Sequence, residues 1–261
     1  MLFTDHFVEV DGCRTHYRRA GKGTPLVFLH GAGGAPQVLP FMERLAQRFE
    51  VLVPDAPGYG QSDEPAWLEN IHDVAYFYLD FLAALKLEKA LIVGTSMGGW
   101  MAMEMAVRNT SRIASLVLVS PAGIRVEGGA SGAEPADIFL LSPEDMTRKL
   151  FYDQKYAEAR LAAPVTPEGI DLQLKNRHTT ARLAWEPRLH DPMLPKWLHR
   201  IDVPVAIAWG KEDQILPVAI AHELKRLLPQ AELTLFERCG HLLVQEKAEE
   251  FCDLVERFAC K

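Results

Sequence analysis

The sequence predicts an α/β protein: a mostly parallel, eight-stranded sheet with helices on both faces and a small helical insert. Three observations lead there. Short apolar runs alternate with segments of helical period. The runs show no polar alternation, as expected of strands buried on both faces of a parallel sheet. One proline-rich stretch interrupts the rhythm, and 261 residues at 48% apolar and 24% charged suffice for a large core around the rest.

The elements follow in chain order. Residues 7–10 and 14–18 flank Asp11-Gly12, a hairpin signal that sets an antiparallel pair at the sheet edge. Six further strand runs lie at 25–29, 51–54, 90–93, 116–119, 205–208 and 233–236. Between them, Val38, Phe41, Met42, Leu45 and Phe49 make one helical stripe, and Ile71, Val74, Ala75, Tyr78, Leu82 and Leu85 a second. An apolar helix occupies 100–107. Ile220, Leu224, Leu227 and Leu228 follow Pro217, a residue suited to a first helical turn, and Phe251, Leu254, Val255 and Phe258 mark the last helix. Strand and helix in alternation imply right-handed crossovers.

Residues 121–195 carry eight of the 17 prolines, and the opening at 123–137 is rich in Gly, Ala and Glu with no strand pattern. The expected division is a core of 1–122 and 196–261 and an insert of 123–195. Proline there predicts several short helices rather than a long one. Phe139, Leu140, Leu141, Leu150, Phe151, Leu172, Leu174, Trp185 and Trp197 give the insert enough apolar surface to pack as a lid.

A net charge of -7 and a pI near 5.7 argue against a phosphate-neutralising surface, so no nucleic-acid partner is expected. No run approaches the roughly 18 apolar residues of a membrane span. The opening Met1-Leu2-Phe3-Thr4-Asp5-His6 has no basic-then-apolar leader pattern. Cys13, Cys239, Cys252 and Cys260 show no metal-ligand spacing and read as reduced structural thiols of a cytoplasmic protein.

The sharpest chemical signal is Gly94-Thr95-Ser96-Met97-Gly98-Gly99, directly after a strand and opening a helix. A serine on such a turn projects its hydroxyl above the sheet, and the helix N-terminus lies beside any developing oxyanion. Such a hydroxyl needs a base. His241, in the loop after the last strand, lies where ligands gather in open α/β sheets. His30, at the end of run 25–29, reads as a brace for the loop Gly31-Ala32-Gly33-Gly34. Asp213, after run 205–208, is the acid to orient the base; Glu212 adjoins it, and Asp202 falls at the wrong end of the sheet. The order Ser96, Asp213, His241 is that of nucleophile, acid and base on successive strand ends.

With these residues the sequence resembles the α/β-hydrolase superfamily over nearly its whole length. The resemblance is carried by His30-Gly31-Ala32-Gly33-Gly34, Asp55-Ala56-Pro57-Gly58-Tyr59-Gly60-Gln61-Ser62, Gly94 to Gly99, Trp209-Gly210-Lys211-Glu212-Asp213 and Gly240-His241. It implies the α/β-hydrolase fold with a cap formed by the insert. It also implies an oxyanion hole of the Ala32 and Met97 backbone N–H groups, with Gly33 a near competitor for the first and Gly31 supporting the loop. No metal or organic cofactor is required.

Ser96 argues against the branches of the family with an aspartate or cysteine nucleophile. Hydrolysis of a small, largely apolar carboxylic ester is the leading expectation. Lactone opening and C–C cleavage of vinylogous diketones are the alternatives. Thr95 and Leu242 depart from the Asn and Trp usual in C–C hydrolases. Arg177, Arg182 and Arg188 could bind a substrate carboxylate, although most such arginines are solvated. A binding protein that keeps the fold without turnover is the reading from another class. Gly31-Ala32-Gly33 with Asp55 is a poor dinucleotide signal, because Pro36 replaces the third glycine. No H-E-x-x-H zinc pattern occurs. A small molecule is the expected partner, and the sequence leaves the oligomeric state open.

Overall fold

The computed structural model describes residues 3–35, 37–126 and 134–259. Pro36, Cys260 and the 127–133 part of the insert opening lie outside the described residues. The chain begins with β1 (Thr4–Val10), β2 (Cys13–Ala20), β3 (Pro25–Leu29), α1 (Pro40–Leu45) and β4 (Glu50–Pro54). Next come α2 (Ile71–Ala84), β5 (Ala90–Thr95), α3 (Met97–Arg108) and β6 (Ile113–Val119). Before the sheet resumes lie α4 (Pro143–Leu150), α5 (Gln154–Ala162), α6 (Pro167–Ala184), α7 (Leu194–Trp197) and a 3-10 turn, Leu198–Arg200. The last elements are β7 (Val205–Gly210), α8 (Ala219–Leu227), β8 (Glu232–Phe236), α9 (Leu243–Glu246) and α10 (Ala248–Ala259).

The eight strands form one sheet in the order β1-β2-β4-β3-β5-β6-β7-β8. β2 runs antiparallel to both of its neighbours, β1 and β4, and the other pairings are parallel. Each central strand feeds two cores, which explains its uninterrupted apolar run. Val27, Ile92, Leu116, Leu118 and Ile207 face the cluster that includes Val74 and Phe81 of α2 and Met101 of α3. Phe28, Leu91, Val93, Val117 and Ala206 face Phe41 of α1 and Phe251 and Val255 of α10. Alternate side chains enter opposite faces because the strand period is two. The parallel strands therefore end in register along one carboxyl edge.

Three expectations need correction. The stripe 38–49 is helical only over Pro40–Leu45. The chain turns at 46–48, where the Phe49 N–H still bonds the Leu45 carbonyl (2.9 Å) and the Glu50 N–H already bonds Thr24 (3.1 Å). Phe49 is thus buried by a turn that delivers β4. The insert is not made only of short helices, since α6 has 18 residues. Pro167 occupies its first turn, where no N–H is required, and Thr166 caps it through the Gly169 N–H (3.1 Å). The proline starts this helix rather than breaking it. Finally, Leu140, Leu172, Leu174, Trp185 and Trp197 are exposed, while Leu150 and Phe151 are buried and Phe139 and Leu141 half-buried. Apolar count did not specify which face of each insert helix packs.

One buried charge lies inside the core. Glu104 of α3 is 2% exposed and accepts from Trp100 Nε1 (3.0 Å) and Arg108 Nη1 (2.5 Å), with His72 Nδ1 at 3.3 Å. Burial pushes its carboxyl pKa up, but the bonds from His72, Arg108 and Trp100 outweigh that and hold it below the usual range. The free thiols Cys13, Cys239 and Cys252 are buried, and burial pushes the last two up to about 12. Such thiols are inert at neutral pH.

Candidate active site

Ser96 joins β5 to α3 with φ 53° and ψ -119°, a conformation costing about 1–3 kcal/mol for a residue with a side chain. The surroundings hold it there. Its N–H bonds the Val119 carbonyl (2.9 Å), and its carbonyl accepts from Gly99 (3.0 Å), Trp100 (3.2 Å) and Ala122 (3.0 Å). Gly98 allows α3 to approach β3 this closely, since a Cβ there would collide with the Leu29 carbonyl oxygen. The Ser96 side chain is half-exposed at the carboxyl edge. Met97 opens α3, so its N–H has no intrahelical acceptor.

The loop after β3 runs past this turn. A Cβ on Gly31 would lie 3.2 Å from Ser96 Cβ, so the two backbones are in contact range. His30 is 1% exposed; its Nε2 accepts the Ala56 N–H (3.0 Å), which leaves Nδ1–H to donate to the Gly31 carbonyl (2.8 Å). Burial pushes the His30 imidazole below its ordinary pKa despite the Gly31 bond, which keeps the ring neutral in that tautomer. Asp55 anchors the next loop, with Oδ2 accepting from His16 Nδ1 (2.9 Å) and the Gln61 N–H (2.9 Å).

Two strands along, β7 ends at Gly210 and the chain turns into Asp213. Asp213 Oδ1 accepts the N–H groups of Ile215 (2.8 Å) and Leu216 (2.9 Å), and Oδ2 lies 2.7 Å from His241 Nδ1. The Asp213 side chain is 0% and the His241 side chain 5% exposed, so water does not compete for this bond. Glu212 points elsewhere and accepts the Cys239 N–H (2.8 Å), while Asp202, before β7, takes the Thr110 hydroxyl (2.6 Å). Among the described residues, no hydrogen bond joins the Ser96 hydroxyl to His241.

Sequence reasoning missed Glu246, which joins the loop bearing His241 to residues 152–153. Its carboxylate accepts the N–H groups of Gly240 (2.7 Å), Tyr152 (3.0 Å) and Asp153 (2.8 Å). Leu242 N–H adds a bond to the Leu150 carbonyl (3.1 Å). Also missed were Asn176, Thr179 and Thr180, which are buried on α6. Their i, i+3, i+4 spacing was the available signal, and on its face it reads as a solvated helix side.

The Alpha/beta hydrolase family model matches residues 26–254, most of the chain. The chain belongs to the alpha/beta hydrolase family. Among relatives of this alpha/beta hydrolase, the 2-hydroxymuconate semialdehyde hydrolase of Pseudomonas sp. (strain CF600) is 31% identical, with 95% of this chain and 90% of that one covered. The structure is similar to that of a meta-cleavage product hydrolase from Pseudomonas fluorescens IP01: TM-score 0.72, 25% identity, with 97% of this chain and 96% of that one covered. It shares the fold of Est816, an N-acyl homoserine lactone degrading enzyme: TM-score 0.76, 24% identity, 97% and 100% covered. No helix among the described residues of the hydrolase is long and apolar enough to cross a membrane.

Proposed function

We propose that this hydrolase cleaves a small, largely apolar carboxylic ester by acyl transfer through Ser96. One observation carries the reading: a serine in a strained strand-to-helix turn shares the sheet's carboxyl edge with a buried His241–Asp213 pair bonded at 2.7 Å. Asp213 accepts Nδ1–H and leaves His241 Nε2 as the proton acceptor. Ser96 Oγ attacks the carbonyl carbon as Nε2 takes its proton, and the oxyanion is bound by the N–H groups of Ala32 and Met97. The imidazolium, stabilised by Asp213, then protonates the departing alkoxide. Water, deprotonated by the same nitrogen, attacks the acyl-serine and releases the acid. Segment 123–195 acts as the cap that shapes the pocket.

The insert arginines support an apolar substrate, because each is already engaged by a partner within the protein. Arg177 donates to the Phe139 carbonyl (3.0 Å), Arg182 pairs with Glu64 (2.6 Å), and Arg188 pairs with Asp137. Free, buried thiols support a reducing, cytoplasmic setting. A second reading, C–C hydrolysis of a vinylogous diketone, is favoured by the 31% identity to the semialdehyde hydrolase.

A fluorophosphonate should label the protein once, at Ser96, with labelling and turnover of 4-nitrophenyl butyrate both lost in Ser96→Ala. Labelling elsewhere would overturn the nucleophile. Ligand binding without turnover, unchanged by that substitution, would identify a binding protein. Turnover of a meta-cleavage dienoate in preference to esters would select the second reading.

A further inference from the structure

We propose that Thr180 and Asn176 of α6 are positioning residues for the Ala32 oxyanion donor, so that the insert helps set the rate of the chemical step. This rests on the reading of Ala32 as an oxyanion donor. The loop 31–34 carries three glycines, and its only internal backbone bond among the described residues runs from Gly34 N–H to the Gly31 carbonyl (3.1 Å). A glycine-rich loop of this kind has many accessible conformations and needs external anchors to point an N–H in one direction.

The anchors come from two sides, and each holds a successive carbonyl. The peptide bearing the Ala32 N–H ends in the Gly31 carbonyl, bound by His30 Nδ1 (2.8 Å) from the core. The next carbonyl, Ala32, accepts from Thr180 Oγ1 (2.7 Å), and Gly33 accepts from Asn176 Nδ2 (2.9 Å), both from α6. Asn176 Oδ1 also receives the Gly60 N–H (3.1 Å), and Thr179 donates to the Gly58 carbonyl (2.8 Å), so the 58–60 loop is held by the same helix face.

The Thr180 hydroxyl has one hydrogen and two carbonyls in reach, that of Ala32 and that of Asn176 in its own helix (2.9 Å). The buried Tyr59 Oη lies 2.8 Å away and has Thr180 Oγ1 as its one hydrogen-bond partner among the described residues, so with the Thr180 hydrogen directed at a carbonyl the phenol O–H donates to Thr180 Oγ1. That bond uses an oxygen lone pair and leaves the hydrogen for the closer Ala32 carbonyl. Thr180 and Asn176 are 3% and 7% exposed, so water cannot replace either bond. Without Thr180 the 32–33 peptide is free to rotate, and the neighbouring donor moves off the oxyanion position.

The test compares Thr180→Val, which keeps shape and loses the donor, with Thr180→Ser, which keeps the donor. With 4-nitrophenyl butyrate, Thr180→Val should lower kcat by about 10- to 100-fold, since a displaced donor forfeits much of what oxyanion contacts supply. KM should stay within about threefold, and an alkyl trifluoromethyl ketone, whose adduct carries an oxyanion, should bind more weakly by the same factor as kcat falls. Thr180→Ser should recover most of the rate. A kcat for Thr180→Val near wild type, or a raised KM with unchanged trifluoromethyl ketone affinity, would overturn the proposal. Amide exchange across 30–35 gives a readout independent of the chemistry. It should speed up in Thr180→Val even if Ser96 proves not to be a nucleophile, and unchanged exchange would overturn the anchoring itself.

Discussion

Replacing Asp213 by Asn tests the charge pair with little change of shape. Asp213 Oδ1 already accepts two backbone N–H groups, from Ile215 and Leu216, at 2.8 and 2.9 Å. An asparagine would keep its carbonyl oxygen there, because the flipped amide would leave two buried donors unpaired at about 1–3 kcal/mol each. Its NH2 group would then face His241 Nδ1, which could only accept. The imidazole would carry its hydrogen on Nε2 and have no lone pair for the Ser96 proton. Restoring the working tautomer sets N–H against N–H or requires the flip, so the barrier should rise by about 3–6 kcal/mol, or roughly 10²–10⁴-fold in kcat. Ester turnover under saturating substrate, with circular dichroism and a melting temperature within a few degrees of wild type, is the assay. Asp202→Asn, at a carboxylate that accepts the Thr110 hydroxyl before β7, is the control and should turn over normally. More than a tenth of wild-type kcat in Asp213→Asn would refute the assigned tautomer and the role of Asp213.

Ser96→Gly should abolish turnover yet raise the melting temperature by about 2–4 °C, because glycine adopts φ 53° and ψ -119° without the side-chain penalty, worth about 1 kcal/mol; a lower melting temperature would show that the turn is not strained. His72 has its pKa raised by the bond to Glu104, against opposing burial and the Arg108 charge and with help from Asp191. A raised folded-state value stabilises the fold fully below the unfolded value near 6.5 and loses that effect as pH climbs through the folded value. His72→Gln should therefore cost stability at pH 5.5 and little at pH 9, by under about 1 kcal/mol at this part-exposed side chain; equal losses at both pH values would assign His72 to packing alone.

The strands were legible because a parallel strand buried on both faces needs an unbroken apolar run, and few other elements write that pattern. β5 and β7 extend beyond their apolar runs through residues that pair at strand ends, such as Thr95 with Val119, while β6 starts earlier, at Ile113, with a register shift opposite Ala90 and Leu91. Ser96, Asp213 and His241 were legible because each follows a strand end, and strand ends are where a parallel sheet gathers side chains. The insert was harder to read. Pro167 and Pro143 look like breakers in a sequence, yet at a first helical turn they cost nothing and follow the caps Thr166 and Ser142. Leu172 and Leu174 look like core and are exposed; Thr179 and Asn176 look like surface and are buried. Polarity alone cannot separate a solvated threonine from one whose hydroxyl meets a carbonyl 121 residues away, as Thr179 meets Gly58.

The sheet edge carries Ser96, Asp213 and His241, and three loops near it, 31–34, 58–60 and 240–242, are bonded to the segment between β6 and β7. Glu246 and the Leu150 carbonyl tie 240–242 to the segment 150–153, and α6 ties 31–34 and 58–60 through Asn176, Thr179 and Thr180. Asn176, Thr179 and Thr180 bond backbone groups of 31–34 and 58–60, and they pack so closely that a Cβ on Gly34 or Gly58 would collide with Asn176 or Thr179, so loop and helix residues are constrained together. The N-terminal half of α6 bears Ile170, Leu172 and Leu174 in the open, whereas its C-terminal half is fixed by buried polar contacts. The exposed first turns of α6 can therefore change without breaking the bonds to 31–34 and 58–60, whereas changes at Asn176, Thr179 and Thr180 break them.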